Sequence, residues 1–273
     1  MKPTLSLTTA IMLAVLAAPV LADTLSGNDR LDIDAPHRAR LVSGLIWYPA
    51  GASTYAVPIG DGPLFEPPRA LVGAAVAEGR HPLVLLSHGS GGNADGLGWL
   101  SSGLAGHGAI VLAVKHPGST TGDSSGWRAL DFSARAADLS AALDQLLADP
   151  GFAAFIDPDR ISALGFSLGG ATAPGLGGAR FDGAVHQANC IDDPAAADCS
   201  FFLRRGVDFS KARGFDADMR DPRVTRAVAV DPGFIGAIIG GSLTAMPRSI
   251  SSIWAKGPTG SLPPMSAPRV MIW

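Results

Sequence analysis

The sequence predicts an α/β domain, with a mostly parallel central sheet covered by helices on both faces. Three observations predict it. Short, wholly apolar runs recur at Leu83–Leu86, Ala109–Val114, Ile161–Phe166 and Ala227–Val230, the pattern of strands buried on both faces. A clear amphipathic helix separates the second run from the third, and alternation of strand and helix argues for parallel pairing. The composition fits a folded core, with 273 residues, 47% hydrophobic, 16% charged and a mean hydropathy of +0.25. Disordered and coiled-coil chains carry far more charge. The net charge of −3 shows no basic excess, so neither nucleic acid nor an anionic membrane surface is expected as a partner.

The elements follow in order. Met1-Lys2 supplies a positive charge, and Ala10–Ala18 is unbroken apolar sequence, too short to span a bilayer. Pro19 ends it, and Val20-Leu21-Ala22 offers small residues to a signal peptidase. A signal peptide over 1–22 is expected, leaving one exported domain over 23–273, periplasmic or secreted, with no transmembrane segment. A strand is expected over Arg40–Trp47 and a glycine-rich helix over Ala94–Ala105. The amphipathic helix covers Asp131–Ala148. Its apolar residues Phe132, Ala136, Leu139, Leu143 and Leu146 recur at three- and four-residue steps, and Pro150-Gly151 stops it. The segment 179–226 is a candidate lid insertion. It holds both cysteines, Cys190 and Cys199, which an oxidising compartment would pair as a disulfide. A metal site is the weaker reading, on the ground that no histidine stands at ligand spacing from either.

Ligands of such sheets bind beyond the carboxyl ends of the strands, so the residues just after each strand matter most. Gly165-Phe166-Ser167-Leu168-Gly169 matches G-x-S-x-G. It ends an apolar strand and precedes small residues that can open a helix, the strand–turn–helix elbow that exposes a nucleophilic hydroxyl. A second match, Gly122-Asp123-Ser124-Ser125-Gly126, has no strand before it and reads as a loop. Ser87-His88-Gly89-Ser90-Gly91-Gly92 follows another strand. The Ser90 and Leu168 amides are the expected oxyanion donors. Asp231 follows the strand Ala227–Val230 and comes after the serine in the chain, as the acid of such a triad should. A helix-capping or turn aspartate before Pro232 is the plainer reading.

The base is missing from its expected place. The six histidines are His37, His81, His88, His107, His116 and His186, and none follows residue 186. The tail from Gly240 is rich in glycine, proline and serine and ends on Val270–Trp273. Either the chain is truncated or frame-shifted before its last strand, or an upstream histidine substitutes, His116 being the best placed. His88 reads as a loop anchor.

These residues carry a resemblance. The segments HPLVLLSHGSG (81–91), HPGSTTGD (116–123), IDPDRI (156–161) and GFSLGGATA (165–173) resemble the predicted dienelactone hydrolase branch of the α/β-hydrolase superfamily, which is similar to platelet-activating-factor acetylhydrolases. The likeness runs from about Leu31 to Asp231. It implies an α/β-hydrolase fold, from which this sequence is expected to depart by lacking the C-terminal strand and helix. It also implies Ser167 as nucleophile, Asp231 as acid, and the Ser90 and Leu168 amides as oxyanion hole. Cys190 and Cys199 would lie in an insertion before the Asp231 strand. Dienelactone hydrolases proper use a cysteine where Ser167 stands, so the family name does not give the substrate. Pro174 departs from the pattern, because it falls where the elbow helix should run.

The expected activity is serine hydrolysis of a small-molecule carboxylic ester, without metal or organic cofactor. Trp99, Trp127 and Phe234 are candidate walls of an acyl pocket. The rival reading is a non-catalytic envelope binding protein on a hydrolase fold, favoured by the missing histidine.

Overall fold

The computed structural model describes residues 25–60, 66–244, 246 and 250–253, the last segment as backbone only. The expected signal peptide and the tail beyond 253 lie outside the described residues. Strands β1 (Gly27–Ile33) and β2 (Val42–Tyr48) form an antiparallel pair, and β3 (Ala56–Pro58) and β4 (Arg69–Val72) extend that edge. The parallel part begins with β5 (His81–Ser87), followed by a 3-10 turn, α1 (Gly98–Gly106) and β6 (Ile110–Val114). A small hairpin, β7 (Ser119–Thr120) and β8 (Asp123–Ser124), leads to α2 (Gly126–Ala129) and the long α3 (Phe132–Ala148). Next come β9 (Ile156–Phe166), α4 (Gly169–Gly177), α5 (Gly183–Asp192) and α6 (Ala197–Leu203). The described chain closes with β10 (Arg226–Val230), α7 (Gly240–Leu243) and β11 (Ile250–Ile253).

Nine strands make one sheet in the order β11-β10-β9-β5-β6-β2-β1-β4-β3. The run β11-β10-β9-β5-β6 is parallel throughout. Each strand is read on two faces. Leu45, Trp47, Val111 and Ala113 pack toward α1, while Ile46, Tyr48, Ile110, Leu112 and Val114 pack in the core that includes α3 and α4. Alternate residues thus serve opposite layers, and both layers are helical, as expected. The Asp131 side chain caps α3 by accepting from the Ala134 amide.

Several sequence readings change. The strand expected to be lacking after Ala227–Val230 is present as β11, which pairs in parallel with β10 at the sheet edge. The decoy Ser124 lies in the two-residue β8, not in a plain loop. Pro174 does not break α4. Every residue of that helix is buried, and this packing outweighs one missing backbone bond. Helices α5 and α6, unforeseen in the sequence, occupy much of 179–226. Phe181, Phe209 and Phe215 of that segment are fully buried with Phe132 and Phe234 in one aromatic cluster. Phe234 is therefore a core residue, not a pocket wall.

Candidate active site

Ser167 follows β9 directly, with a left-handed φ of 53°. Side chains adopt that region only at a cost, and here the surroundings impose it. The Ser167 amide donates to the Val230 carbonyl (3.0 Å), and its own carbonyl accepts from the Gly170 (2.8 Å) and Gly233 (3.2 Å) amides. Glycines make the turn sterically feasible. A side chain at Gly165 would overlap the Gly169 carbonyl, and one at Gly169 would overlap the Ser87 carbonyl. The elbow thus packs against the end of β5 as well as its own helix.

That packing brings the loop after β5 alongside. A Cβ on Gly89 would stand 3.2 Å from the Ser167 Cβ. Gly91 makes the loop's turn at φ 74° and donates to the Ser119 carbonyl at 2.7 Å. Among the described residues, neither the Ser90 nor the Leu168 amide has an acceptor, and Ser167 Oγ has no hydrogen-bond partner. Ser167, half-buried, therefore stands near two main-chain amides that have no acceptor among the described residues.

Asp231 follows β10, the neighbour of β9, also at positive φ (45°). Its loop closes on the elbow through the Gly233–Ser167 bond and through Pro232, which packs where a Gly170 Cβ would be. The Asp231 carboxylate is exposed and has no partner among the described residues.

The histidines are elsewhere. Among the described residues, no histidine hydrogen-bonds Ser167. His116 is fully buried between Ser87 and Asp138, with Nε2 3.0 Å from Ser87 Oγ and Nδ1 2.9 Å from Asp138 Oδ2. This has the look of a triad, but all three side chains are sealed from solvent. Burial, followed by Arg135, pushes the His116 imidazole down to about 4. Burial acts to raise the Asp138 carboxyl, yet hydrogen bonds from His116 and Arg38 outweigh it and hold the group well below the usual carboxylate range. His116 is thus neutral and fully engaged with Ser87 and Asp138, and it makes no hydrogen bond to Ser167. His88 is a loop anchor, as read. Its Nδ1 meets the Gly89 carbonyl at 2.7 Å, and its Nε2 accepts from the His116 amide at 3.1 Å.

Cys190 and Cys199 form a disulfide joining α5 to α6. The statement that no histidine stands at ligand spacing needs correction. His186 lies one helical turn before Cys190, with Nε2 3.5 Å from Sγ. The spacing was visible in the sequence. Since the sulfurs are bonded to each other, they are not thiolate ligands.

A cleft of about 620 Å³ opens along the same sheet rim, over β6 and the start of β2. Arg38, Lys115 and Arg128 line it but are paired with Asp138, Asp95 and Asp123. Ser167 is not part of its wall. Trp99 and Trp127 are each nearly half exposed.

No family model matches this sequence, and no curated protein does. Among solved structures, the chain is similar to a ferulic acid esterase from Streptomyces cinnamoneus, at 24% identity and a TM-score of 0.51, over 80% of this chain and 62% of that one. The chain therefore spans less than two thirds of that esterase. A dienelactone hydrolase-like promiscuous phosphotriesterase from metagenomic libraries also matches, at 18% identity and a TM-score of 0.46, over 85% of this chain and 70% of that one. A mostly parallel sheet with helices on both faces and a strained serine between β9 and α4 agrees with the likeness to the esterase, and together they identify the chain as a protein of the α/β-hydrolase fold.

Proposed function

We propose that this chain is an exported serine hydrolase that cleaves small carboxylic esters through an acyl-enzyme on Ser167. The observation that carries the proposal is the strained, half-exposed Ser167 beside the uncommitted Ser90 and Leu168 amides. Ser167 Oγ would bond to the ester carbonyl carbon while the two amides hold the developing oxyanion. The bond to the alcohol oxygen then breaks, and the alcohol leaves with the proton that Ser167 gave up. Water next attacks the acyl carbon, releases the acid and returns a proton to Oγ. Asp231 is the acid available to orient a base at this rim. The segment 179–226 would lie over the site as an anchored cover. The esterase named above supports ester chemistry, and the disulfide and the Met1–Ala22 sequence support export.

A second reading has one specific observation in its favour: no histidine reaches Ser167. On that reading the chain binds a ligand in the hydrolase cleft without turning it over. Nitrophenyl ester hydrolysis by the purified chain and by Ser167→Ala separates the two. Faster hydrolysis by the unaltered chain, lost in the variant, is expected. Equal rates would favour the binding protein instead.

A further inference from the structure

The side chain of Arg135, on α3, is almost wholly buried at 1% exposure. A buried guanidinium ordinarily faces a carboxylate, because an uncompensated charge is costly. The hydrogen bonds of Arg135 go instead to neutral oxygens. Nε donates to Thr172 Oγ1 (3.0 Å), Nη1 to Ser119 Oγ, and Nη2 to Ser87 Oγ (3.0 Å) and the His88 carbonyl (2.5 Å). The nearby carboxylate of Asp138 is taken by His116, Arg38 and His37. Stability alone does not explain keeping such a group, since an apolar side chain of similar size commonly costs less.

Three of the four acceptors lead to the same pair of amides. The His88 carbonyl lies just before Gly89-Ser90, and the Ser119 carbonyl accepts from Gly91, just after Ser90. Thr172 Oγ1 donates to the carbonyl of Leu168 at 3.3 Å. One rigid, planar fork thus grips the loop carrying the first oxyanion amide on both sides, and the residue carrying the second through a single hydroxyl. We propose that Arg135 is the positioning residue of the oxyanion hole. It holds the Ser90 and Leu168 amides in mutual register, with its positive charge hydrogen-bonded only to neutral oxygens. The proposal rests on the reading of Ser167 as nucleophile. Lysine cannot substitute, because a single ammonium cannot span acceptors on β5, α4 and the 116–121 loop in the fork's plane.

The test uses the full chain and its Arg135→Lys, Arg135→Met and Thr172→Val variants, with two readouts. In ester hydrolysis, Arg135→Lys is expected to lower kcat about 100-fold, the loss typical of a misplaced oxyanion donor, with KM held within about threefold. In amide hydrogen exchange, both Arg135 variants are expected to speed exchange in segments 88–92 and 167–172 together, by about tenfold or more. Thr172→Val, a milder change, should loosen 167–172 alone. Rescue of kcat by lysine would overturn the proposal, as would unchanged exchange at either segment or a uniform rise over the whole sheet. If the Arg135 variants do not fold, Thr172→Val decides, and unchanged exchange at 167–172 overturns the proposal. If the unaltered chain shows no turnover, the reading of Ser167 fails, while the exchange pattern still decides whether Arg135 holds both segments.

Discussion

Two serines end neighbouring parallel strands of this molecule, and each has what the other lacks. Ser87, at the end of β5, has a histidine at 3.0 Å and an aspartate behind it, but no solvent access. Ser167, after β9, is half-exposed on strained backbone beside two free amides, but has no histidine. The difference teaches that triad distances are poor evidence on their own. Ser87 Oγ accepts from Arg135, lies in hydrogen-bond contact with His116 and is fully buried, so no substrate carbonyl can approach it. A nucleophile is recognised by access and by donors placed for its product charge.

The sharpest way to break this comparison is covalent. A fluorophosphonate probe is expected to modify the peptide containing Ser167 and leave the Ser87 peptide untouched, read by mass spectrometry. Label on Ser87 would reverse the assignment of the two sites. The next effect concerns the contact between them. Gly169→Ala would force a methyl group into the Ser87 carbonyl, so a loss of about 3 kcal/mol or more is expected in denaturant unfolding. A loss below about 1 kcal/mol would show that the elbow is not wedged against β5. The smallest effect is a pH dependence belonging to the Ser87 side alone. Burial lowers the folded-state value of His116 from its ordinary 6.5 to about 4, and His88 shifts the same way. The unfolded chain therefore binds more protons across that window. Stability is complete above pH 6.5 and falls as pH drops toward 4, by up to about 3 kcal/mol for His116. His116→Asn should flatten the slope of stability against pH; an unchanged slope would contradict the assignment.

Much of the sheet was legible because strands buried on both faces leave no polar residue inside them. Val111–Val114 and Ala227–Val230 admit hardly another reading. The elbow was legible because Gly165, Ser167 and Gly169 each answer a steric demand that stands close in sequence. What brings Ser87, His116 and Asp138 together is long-range: two strand ends and one helix meet, and no local spacing announces it. Asp138 sits among the apolar residues of α3, and a charge at a core-facing position was the signal that could have found the cluster. Arg135, one turn earlier on the same face, was the other. Helices α5 and α6 were hidden because their stability comes from an aromatic cluster assembled from distant segments and from a cross-link, not from a local apolar stripe. The tail from Gly240, read as glycine-, proline- and serine-rich sequence short of a last strand, holds α7 and the sheet strand β11, because β10 offers a free parallel edge; its part beyond 253 and the Met1–Ala22 leader fall outside the described residues.

Among the described residues, only Ser167, Asp231 and Phe234 hold a left-handed backbone without being glycine, and all three crowd the ends of β9 and β10. A laboratory lineage selected solely for surviving heat would drift toward glycine at these positions, since each exchange relaxes the main chain. Such drift at 234 would empty part of the aromatic cluster and be resisted. At 167 nothing in the packing would resist it, so only continued selection for chemistry would keep a hydroxyl there.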